Sequence, residues 1–265
     1  MDVSSDYGIY IPKSINDIIY GLDYKIDKVG LSDSTVFIFD DYILKISNIS
    51  YDVLNEIKVS DVLKNKLLIP KILVSVIEND KAYILRTKIK GKMLCDKYYM
   101  ERPNLLFKLA SDALKMLWDI DINDLDLDNT SDTILNYGID KKDSLDINES
   151  DRNITGCFNS YNEIIDYIIK NKPEEDNVLT HGDFCISNII CQDDRVVGFI
   201  DLGLMGISNR YHDISILYRS IKYNFMGKYG RSYDGFDEDM LFKLLNIKKD
   251  DNLIKYYLLL DELLA

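Results

Sequence analysis

Hydrophobic and polar positions in the first ninety residues follow the pattern of a small antiparallel sheet. Residues 36–46 form two β-branched and aromatic runs on either side of the turn-forming pair Asp40-Asp41, which predicts a hairpin. Residues 72–85 predict a second hairpin around the polar turn at 79–80. Between the hairpins, apolar and polar residues recur at helical spacing over 51–65. The predicted order is therefore strand, strand, helix, strand, strand.

Helical spacing dominates the chain after Gly91. A helix is predicted to begin at Pro103, and apolar residues then recur on one wide face that suits a core. Similar patterns predict helices over 158–171 and 250–264, and one hairpin is predicted within this half over 189–200. The chain has neither an internal repeat nor a low-complexity linker, so we expect two lobes that pack together.

Composition narrows the class of protein. With 265 residues, of which 46% are hydrophobic, the chain is long enough to bury a core. Its net charge of −13 would repel phosphate backbones, so no nucleic-acid partner is expected. The amino terminus lacks the regions of a signal peptide and no apolar run suits a membrane span, so we expect a cytoplasmic protein with no membrane partner. The four cysteines show no C-x-x-C spacing, which favours free thiols.

The candidate chemistry lies on either side of the hairpin predicted over 189–200. An H-G-D motif at 181–183 begins a segment that ends at Asn188, and Asp201 follows the hairpin. Because hairpin strands are antiparallel, Asn188 and Asp201 would meet at one end. Their amide and carboxylate oxygens suit a Mg²⁺ ion that also binds a nucleotide's phosphates. Asp183 would then lie where it can orient a hydroxyl for attack on a phosphoryl group and accept its proton.

Positive charge for the phosphates must come from local side chains in so acidic a protein. Lys45 lies on an apolar strand whose neighbours would bury its stem and direct its ammonium group. Glu56 falls on the following helix, where it would pair with Lys45. The loop over 30–35 offers backbone N–H groups and serine hydroxyls to phosphates, although it holds one glycine. The sequence has no G-x-x-x-x-G-K segment, which excludes a P-loop fold.

These motifs resemble a known family of small-molecule kinases. The H-G-D-x-x-x-x-N block at 181–188 and the I-D-x-G block at 200–203, with the strand lysine and the helix glutamate, are similar to the aminoglycoside 3'-phosphotransferases. The similarity covers essentially the whole chain and is strongest over 172–265. It implies an α+β, protein-kinase-like fold of two lobes. These would be a small β-rich nucleotide-binding lobe over 1–90 and a larger helical lobe over 91–265 for catalysis and acceptor binding.

The resemblance also assigns roles on the nucleotide side. It implies that ATP or GTP donates the phosphoryl group and that Asn188 and Asp201 hold Mg²⁺. The residues implied to bind the nucleotide are Lys45 at the α- and β-phosphates, its partner Glu56, Ser32 at the phosphates, and the backbone of Thr87 and Ile89 at adenine.

On the acceptor side, the resemblance implies that Asp183 is the catalytic base. Asp261 and Glu262 match acidic positions that bind substrate amines in this family, and Arg219 is grouped with them as acceptor-binding. We therefore expect a monomeric enzyme that phosphorylates a small cationic acceptor. The 3'-hydroxyl of an aminoglycoside is the leading candidate, with antibiotic resistance as the consequence.

Four positions depart from the family pattern near the acceptor or the phosphates. Leu204 replaces a common arginine, Ile186 replaces a common acidic residue, and Tyr223 and Asn224 stand where carboxylates often occur. A kinase for another small acceptor, such as a choline-like, amino-sugar or nucleoside acceptor, therefore stays open. So does a non-catalytic nucleotide-binding protein on the same fold.

Other features allow a structural or a functional interpretation. We expect His181 to hydrogen-bond within its own loop, His212 to lie at the surface or at a helix start, and Trp118 to lie in the core. Between Asp119 and Asp151 the sequence has 11 acidic residues and two lysines, so most of the net negative charge of the chain lies in this one stretch. This stretch is either a solvated face or a negative field beside the acceptor site that attracts a cation.

Overall fold

The structure, a computed structural model, describes residues 9–27, 34–141, 158 and 160–264. The chain divides into two compact units. The first comprises residues 1–91 and 197–203, and the second comprises residues 92–196 and 204–265. Three features of the sequence analysis lie outside the described residues: Ser32, Cys157 and the part of the acidic stretch over 142–151.

The first unit is built on one sheet. Its strands are β1 (Lys25–Asp27), β2 (Thr35–Ile38), β3 (Tyr42–Asn48), β4 (Ile72–Glu78) and β5 (Lys81–Thr87), and its helices are α1 (Lys13–Ile19) and α2 (Tyr51–Leu63). The strands pair antiparallel in the order β1-β2-β3-β5-β4. Both predicted hairpins and the helix between them are confirmed, and the short elements α1 and β1 were not predicted.

Turn residues explain the β4–β5 hairpin. Asn79 and Asp80 both have positive φ (53° and 58°), the backbone of a type I′ turn, whose twist matches that of the flanking strands. Side chains then alternate between the two faces of the sheet. One face carries Phe37 and Leu44, which are buried in a core that α1 completes.

Helices make up most of the second unit. They are α3 (Lys97–Met100), α4 (Pro103–Trp118), α5 (Ser131–Lys141), α6 (Tyr161–Lys170), α7 (Tyr211–Phe225), α8 (Met240–Leu245) and α9 (Asp251–Asp261), and a 3₁₀ turn follows α9 at Glu262–Leu264. The helix predicted from Pro103 is confirmed. The predicted helix over 158–171 begins instead at Tyr161, because the Ser160 hydroxyl caps it by accepting a hydrogen bond from the Glu163 N–H.

Short strands connect these helices. They are β6 (Lys92–Met93), β7 (Asn177–Thr180), β8 (Ile189–Gln192), β9 (Arg195–Phe199) and β10 (Gly206–Asn209). Strand β10 pairs antiparallel with β7, and a three-stranded sheet has the order β6-β8-β9, with the boundary between the two units inside β9. The hairpin predicted over 189–200 is confirmed. Strands β6, β7 and β10 were not predicted.

The core of the second unit includes one cluster from α5, α6 and α9. It contains Ile134, Ile164, Ile168, Tyr257 and Leu260. Trp118 is only partly buried, and the guanidinium of Arg210 lies 4.9 Å from the centre of its ring, so the core position predicted for this residue is met only in part. Within the described ranges, no helix is long and apolar enough to cross a membrane.

Candidate active site

The H-G-D-x-x-x-x-N segment forms a compact loop between β7 and β8. Asn188 Nδ2 donates hydrogen bonds to Asp183 Oδ2 (3.0 Å) and to the Asp183 backbone carbonyl (2.9 Å). The Sγ atom of Cys185 lies 3.1 Å from the other carboxylate oxygen, Asp183 Oδ1. The structure therefore brings Asp183 and Asn188 into contact and adds Cys185, which the sequence analysis did not single out.

Asp213 of α7 fixes the start of this loop. Its buried carboxylate accepts hydrogen bonds from the backbone N–H groups of His181 (2.7 Å) and Gly182 (3.0 Å). Burial raises the pKa of Asp213 to about 7, although the two N–H donors lower it. Gly182 has a φ of +83°, and a Cβ at this position would collide with the Leu204 carbonyl. The backbone before Asp183 therefore depends on a distant carboxylate that the motif spacing does not reveal.

Both histidines are buried. His181 Nδ1 accepts a long hydrogen bond (3.4 Å) from the Asp183 backbone N–H, which agrees with a structural role within the loop. His212 lies at the start of α7, as one alternative predicted, but the surface position is wrong because the side chain is fully buried and stacks on Tyr257. Burial, with a smaller contribution from the charge of Arg219, lowers the pKa of His212 to about 4. His212 is therefore a neutral core side chain.

In the first unit, Lys45 of β3 lies among charged side chains. Its Nζ is 3.3 Å from Glu56 Oε2 and 3.8 Å from Asp201 Oδ1. The other Glu56 oxygen pairs with Arg86 Nη1, and Glu56 is only 2% exposed. The structure thus brings Lys45, Glu56 and Asp201 together in one unit. Their roles toward a nucleotide stay predictions.

Arg86 is the member of this cluster that sequence reasoning missed. It lies on β5, where the strand register pairs it with Ile43 of β3. Lys45 is two residues beyond Ile43, and side chains two residues apart on a strand project to the same face. Lys45 and Arg86 therefore approach Glu56 from one face of the sheet. A contact between positions 56 and 86 depends on that register, and local spacing carries no signal of it.

The I-D-x-G segment is held against α2. Asp201 has a left-handed backbone (φ 63°), which is uncommon for a residue other than glycine. Asn55 Nδ2 donates a hydrogen bond to the Gly203 carbonyl (2.9 Å), and a Cβ on Gly203 would lie 2.9 Å from the Asp52 backbone. These contacts explain how the segment keeps the Asp201 carboxylate near Lys45. Asn188 belongs to the second unit, so its predicted meeting with Asp201 stays a prediction.

The predicted adenine-binding residues lie at the end of β5. The Thr87 N–H donates a hydrogen bond to the Lys71 carbonyl (2.9 Å), and Thr87 Oγ1 accepts one from the Lys71 N–H (2.9 Å). The N–H of Thr87 is thus already used within the first unit, and its role toward adenine stays a prediction. Ile89 lies close to Gly198, where a side chain would displace it. Ser32, the predicted phosphate contact, lies outside the described residues.

Arg219 of α7 binds the two acidic residues near the carboxyl terminus. Its Nη2 is 2.5 Å from Asp261 Oδ2, and its Nη1 is 3.8 Å from Glu262 Oε1. Although burial opposes it, Asp261 raises the pKa of Arg219 above its usual value, and Glu262 adds to this effect. The next residue, Ser220, accepts a hydrogen bond from the Ile186 N–H (3.1 Å). Helix α7 therefore orders both the carboxylates and the loop of Asp183.

The residues that depart from the family pattern have structural partners. Ile186 is fully buried, and the Leu204 carbonyl accepts a hydrogen bond from Asn129 Nδ2 (2.7 Å). Asn224 Nδ2 donates to the Ser220 carbonyl, and the ammonium of Lys228 lies 4.1 Å from the centre of the Tyr223 ring. The described aspartates of the acidic stretch, over 119–140, are all exposed, which agrees with a solvated face. Whether that face attracts an acceptor stays a prediction.

Two features define the class of kinase-like phosphotransferases. A strand lysine, Lys45, pairs with a helix glutamate, Glu56, and one loop brings an aspartate, Asp183, into contact with an asparagine, Asn188. Residues 23–240 match the family model described as the phosphotransferase enzyme family APH. The chain belongs to this family of enzymes, and the predicted α+β, protein-kinase-like fold is confirmed.

Named relatives agree with this assignment. The chain is 32% identical over 220 residues to an aminoglycoside 3'-phosphotransferase of Enterococcus faecalis, covering 81% of this chain and 80% of the relative. A counterpart in Staphylococcus aureus is 31% identical, with the same coverage. The solved aminoglycoside phosphotransferase APH(3'')-Id of Streptomyces rimosus has a TM-score of 0.76 at 18% identity, covering 94% of this chain and 95% of that one. That enzyme has also been solved in complex with ADP and streptomycin.

Proposed function

We propose that this enzyme transfers the γ-phosphoryl group of ATP or GTP to the 3'-hydroxyl of an aminoglycoside, which would make it an antibiotic-resistance enzyme. The observation that carries the proposal is the contact between Asp183 and Asn188, because it puts a proton acceptor beside an oxygen ligand for a cation. The acceptor class comes from the relatives, which are named aminoglycoside 3'-phosphotransferases. The contacts of Asp183 with Asn188 in one unit, and of Lys45 with Glu56 and Asp201 in the other, support a phosphoryl transfer by positioning and charge.

On the nucleotide side, we assign Lys45 to the α- and β-phosphates. Its ammonium group is held between Glu56 and Asp201, so little conformational freedom remains to be lost when phosphates bind. Glu56 fixes Lys45 and Arg86 at once. Residues 1–90 form the nucleotide-binding lobe in this proposal, with the backbone of Thr87 and Ile89 at adenine and Ser32 at the phosphates.

Mg²⁺ fits the oxygen donors that the proposal assigns to it. Asn188 uses its NH₂ group on Asp183, so its amide oxygen remains to bind a cation. Asp201 contributes a carboxylate that is 58% exposed. Both are hard ligands, and two protein ligands leave coordination positions for phosphate oxygens. When bound, Mg²⁺ supplies positive charge that offsets the charge of the transferring phosphoryl group.

Asp183 orients the attacking hydroxyl and accepts its proton. Its carboxylate oxygens contact Cys185 and Asn188, and each oxygen keeps a further lone pair for the hydroxyl of the acceptor. As the bond forms between the acceptor oxygen and phosphorus, the bond from phosphorus to the nucleoside diphosphate breaks. The hydroxyl proton passes to the Asp183 carboxylate.

On the acceptor side, we assign Asp261 and Glu262 to the amines of the acceptor. Arg219 contacts both carboxylates and thereby orders the two side chains. Residues 91–265 form the catalytic and acceptor-binding lobe in this proposal. A cytoplasmic location and a monomeric state also remain part of it, and cell fractionation and sedimentation test these two expectations.

An acceptor screen tests the proposal. Purified protein with Mg-ATP or Mg-GTP is offered kanamycin- and neomycin-type aminoglycosides and an analogue that lacks the 3'-hydroxyl. We expect nucleotide consumption that depends on the 3'-hydroxyl, with the phosphate located by NMR. We also expect Asp183→Ala to lower turnover by at least about 100-fold while ATP still binds. Equal turnover of the 3'-deoxy analogue would contradict the acceptor position, and near-wild-type turnover of Asp183→Ala would contradict the base.

The same screen tests the second candidate function, which is that of a kinase for another small acceptor. The observation in its favour is that Leu204, Ile186, Tyr223 and Asn224 stand where the family often has charged side chains. Choline, an amino sugar and a nucleoside are therefore included as acceptors. Turnover of one of these and of no aminoglycoside would favour that candidate. ATP binding without transfer to any acceptor would favour a non-catalytic protein.

A further inference from the structure

Cys185 occupies the middle of the loop that carries Asp183. Its backbone N–H donates a hydrogen bond to the Asp183 carbonyl (2.9 Å), and its carbonyl accepts one from the Asn188 N–H (2.9 Å). The Cys185 side chain is partly buried, and its Sγ lies 3.1 Å from Asp183 Oδ1. The thiol therefore approaches the carboxylate from a backbone that is itself fixed on both sides.

The two oxygens of the Asp183 carboxylate have different donors. Asn188 Nδ2 lies 3.0 Å from Oδ2, and the Cys185 sulfur lies 3.1 Å from Oδ1. The last torsion of an aspartate side chain is broad, so one hydrogen bond leaves the carboxylate plane free to turn. A second donor on the other oxygen restricts that rotation. At this separation a thiolate and a carboxylate would repel each other, so the sulfur carries its proton and donates it.

We propose that Cys185 is a positioning residue, whose thiol donates a hydrogen bond to Asp183 Oδ1 and thereby sets the orientation of the carboxylate toward the acceptor hydroxyl. The proposal rests on the proposed function, in which Asp183 is the base. Asn188 holds the opposite oxygen and is also the assigned cation ligand, whereas the proposed function assigns Cys185 no cation or substrate. The proposed role predicts that removal of the thiol changes kcat more than it changes the KM of either substrate.

Steady-state kinetics of Cys185→Ala and Cys185→Ser test this role. We expect Cys185→Ala to lower kcat by about three- to tenfold, because a sulfur donor makes a weak hydrogen bond. The KM values for ATP and for a kanamycin-type acceptor should change by less than about twofold. Cys185→Ser keeps a donor and should restore most of the lost kcat. Cys95→Ala is the matched control, since it removes a partly buried thiol elsewhere in the same unit.

Infrared spectroscopy of the S–H stretch tests the hydrogen bond without using activity. The difference between wild-type protein and Cys185→Ala isolates the Cys185 band, and the same difference in an Asp183→Ala background shows the band without its acceptor. We expect a lower frequency in the presence of Asp183. An unchanged frequency would overturn the proposal, as would an unchanged kcat in Cys185→Ala or a failure of Cys185→Ser to restore it. Absence of transfer by wild-type protein would instead overturn the proposed function. The frequency of the S–H band would still show whether Cys185 donates a hydrogen bond to Asp183.

Discussion

Glu56 holds two cations at once, so its neutralisation gives a sharp prediction. Glu56→Gln keeps the size of the side chain and removes the charge that Lys45 and Arg86 share. At the 3.3 Å separation from Lys45 and an effective dielectric constant of about 20, that one pair contributes roughly 5 kcal/mol of Coulomb energy. The cost of taking the three groups out of water offsets most of this energy in the native protein. Removal of the shared carboxylate charge, however, takes from the buried Arg86 the carboxylate that pairs with it and leaves Lys45 with the more distant Asp201 (3.8 Å).

We therefore expect Glu56→Gln to lower the free energy of unfolding by about 3–5 kcal/mol. We also expect kcat/KM for ATP to fall by about tenfold, since Lys45 loses the nearer of the two carboxylates that hold it, with the acceptor KM nearly unchanged. Chemical denaturation followed by circular dichroism and a coupled assay of ADP formation measure the two effects.

Glu101 provides a matched control. It also pairs with a lysine and an arginine, Lys97 at 3.7 Å and Arg231 at 3.6 Å, but it is 42% exposed. Exposed pairs contribute little, so Glu101→Gln should change the free energy of unfolding by less than about 1 kcal/mol. If Glu56→Gln is no more destabilising than Glu101→Gln, burial does not decide the strength of these pairs and the reasoning is refuted.

Four further predictions follow from charge and burial. Arg219→Met should destabilise the protein by about 1.5–3 kcal/mol and raise the KM of the acceptor but not of ATP, since the Asp261 and Glu262 side chains lose the guanidinium that orders them. In the unfolded chain His212 takes up a proton near the ordinary histidine pKa of 6.5, whereas burial lowers the pKa of the folded residue to about 4. Stability should therefore fall by up to about 3 kcal/mol from pH 6.5 to pH 4, and denaturation of His212→Phe should show a flatter profile. Added NaCl should lower kcat/KM for a cationic acceptor, and less so when exposed aspartates over 119–140 are changed to asparagine. Calorimetry with EDTA in place of Mg²⁺ should show at least about tenfold weaker ATP binding, because the charges of Lys45, Arg86, Glu56 and Asp201 cancel.

Elements with strong local signals could be predicted from the sequence. The hairpins have alternating strands and turn residues such as Asn79 and Asp80, whose side chains tolerate positive φ. Strands β7 and β10 lack such signals because each has four residues and exists through pairing with a distant partner, as between Thr180 and Gly206. Helix α1 has only seven residues, and its burial against the sheet, rather than its own periodicity, explains its stability.

The contacts of the candidate site differ in the same way: those within one segment have a local signal in the sequence, and those between distant segments have none. Spacing within one segment predicted that Asp183 lies near the cation that Asn188 would hold, and the structure shows the two side chains in contact. The hydrogen bonds of Asp213 to the same loop connect residues about thirty positions apart, and the pairing of Arg86 with Glu56 depends on the register between β3 and β5. A single sequence contains no local pattern for such contacts. Charged residues of distant segments that share a buried face can be paired only once the fold is known.

The cations of the candidate site are largely buried and pair with carboxylates, whereas the described aspartates of the acidic stretch are exposed. Lys45 and Arg86 share the buried Glu56, and Arg219 is held by Asp261, whereas the described aspartates over 119–140 are exposed. Buried ion pairs are weak contributors to stability, because desolvation offsets most of the attraction. Their presence is better explained by the chemistry of the site, which needs cations at fixed positions in a protein of net charge −13. In such a protein an unpaired lysine would be drawn to the many surface carboxylates, and a buried carboxylate partner prevents this by fixing where the positive charge lies.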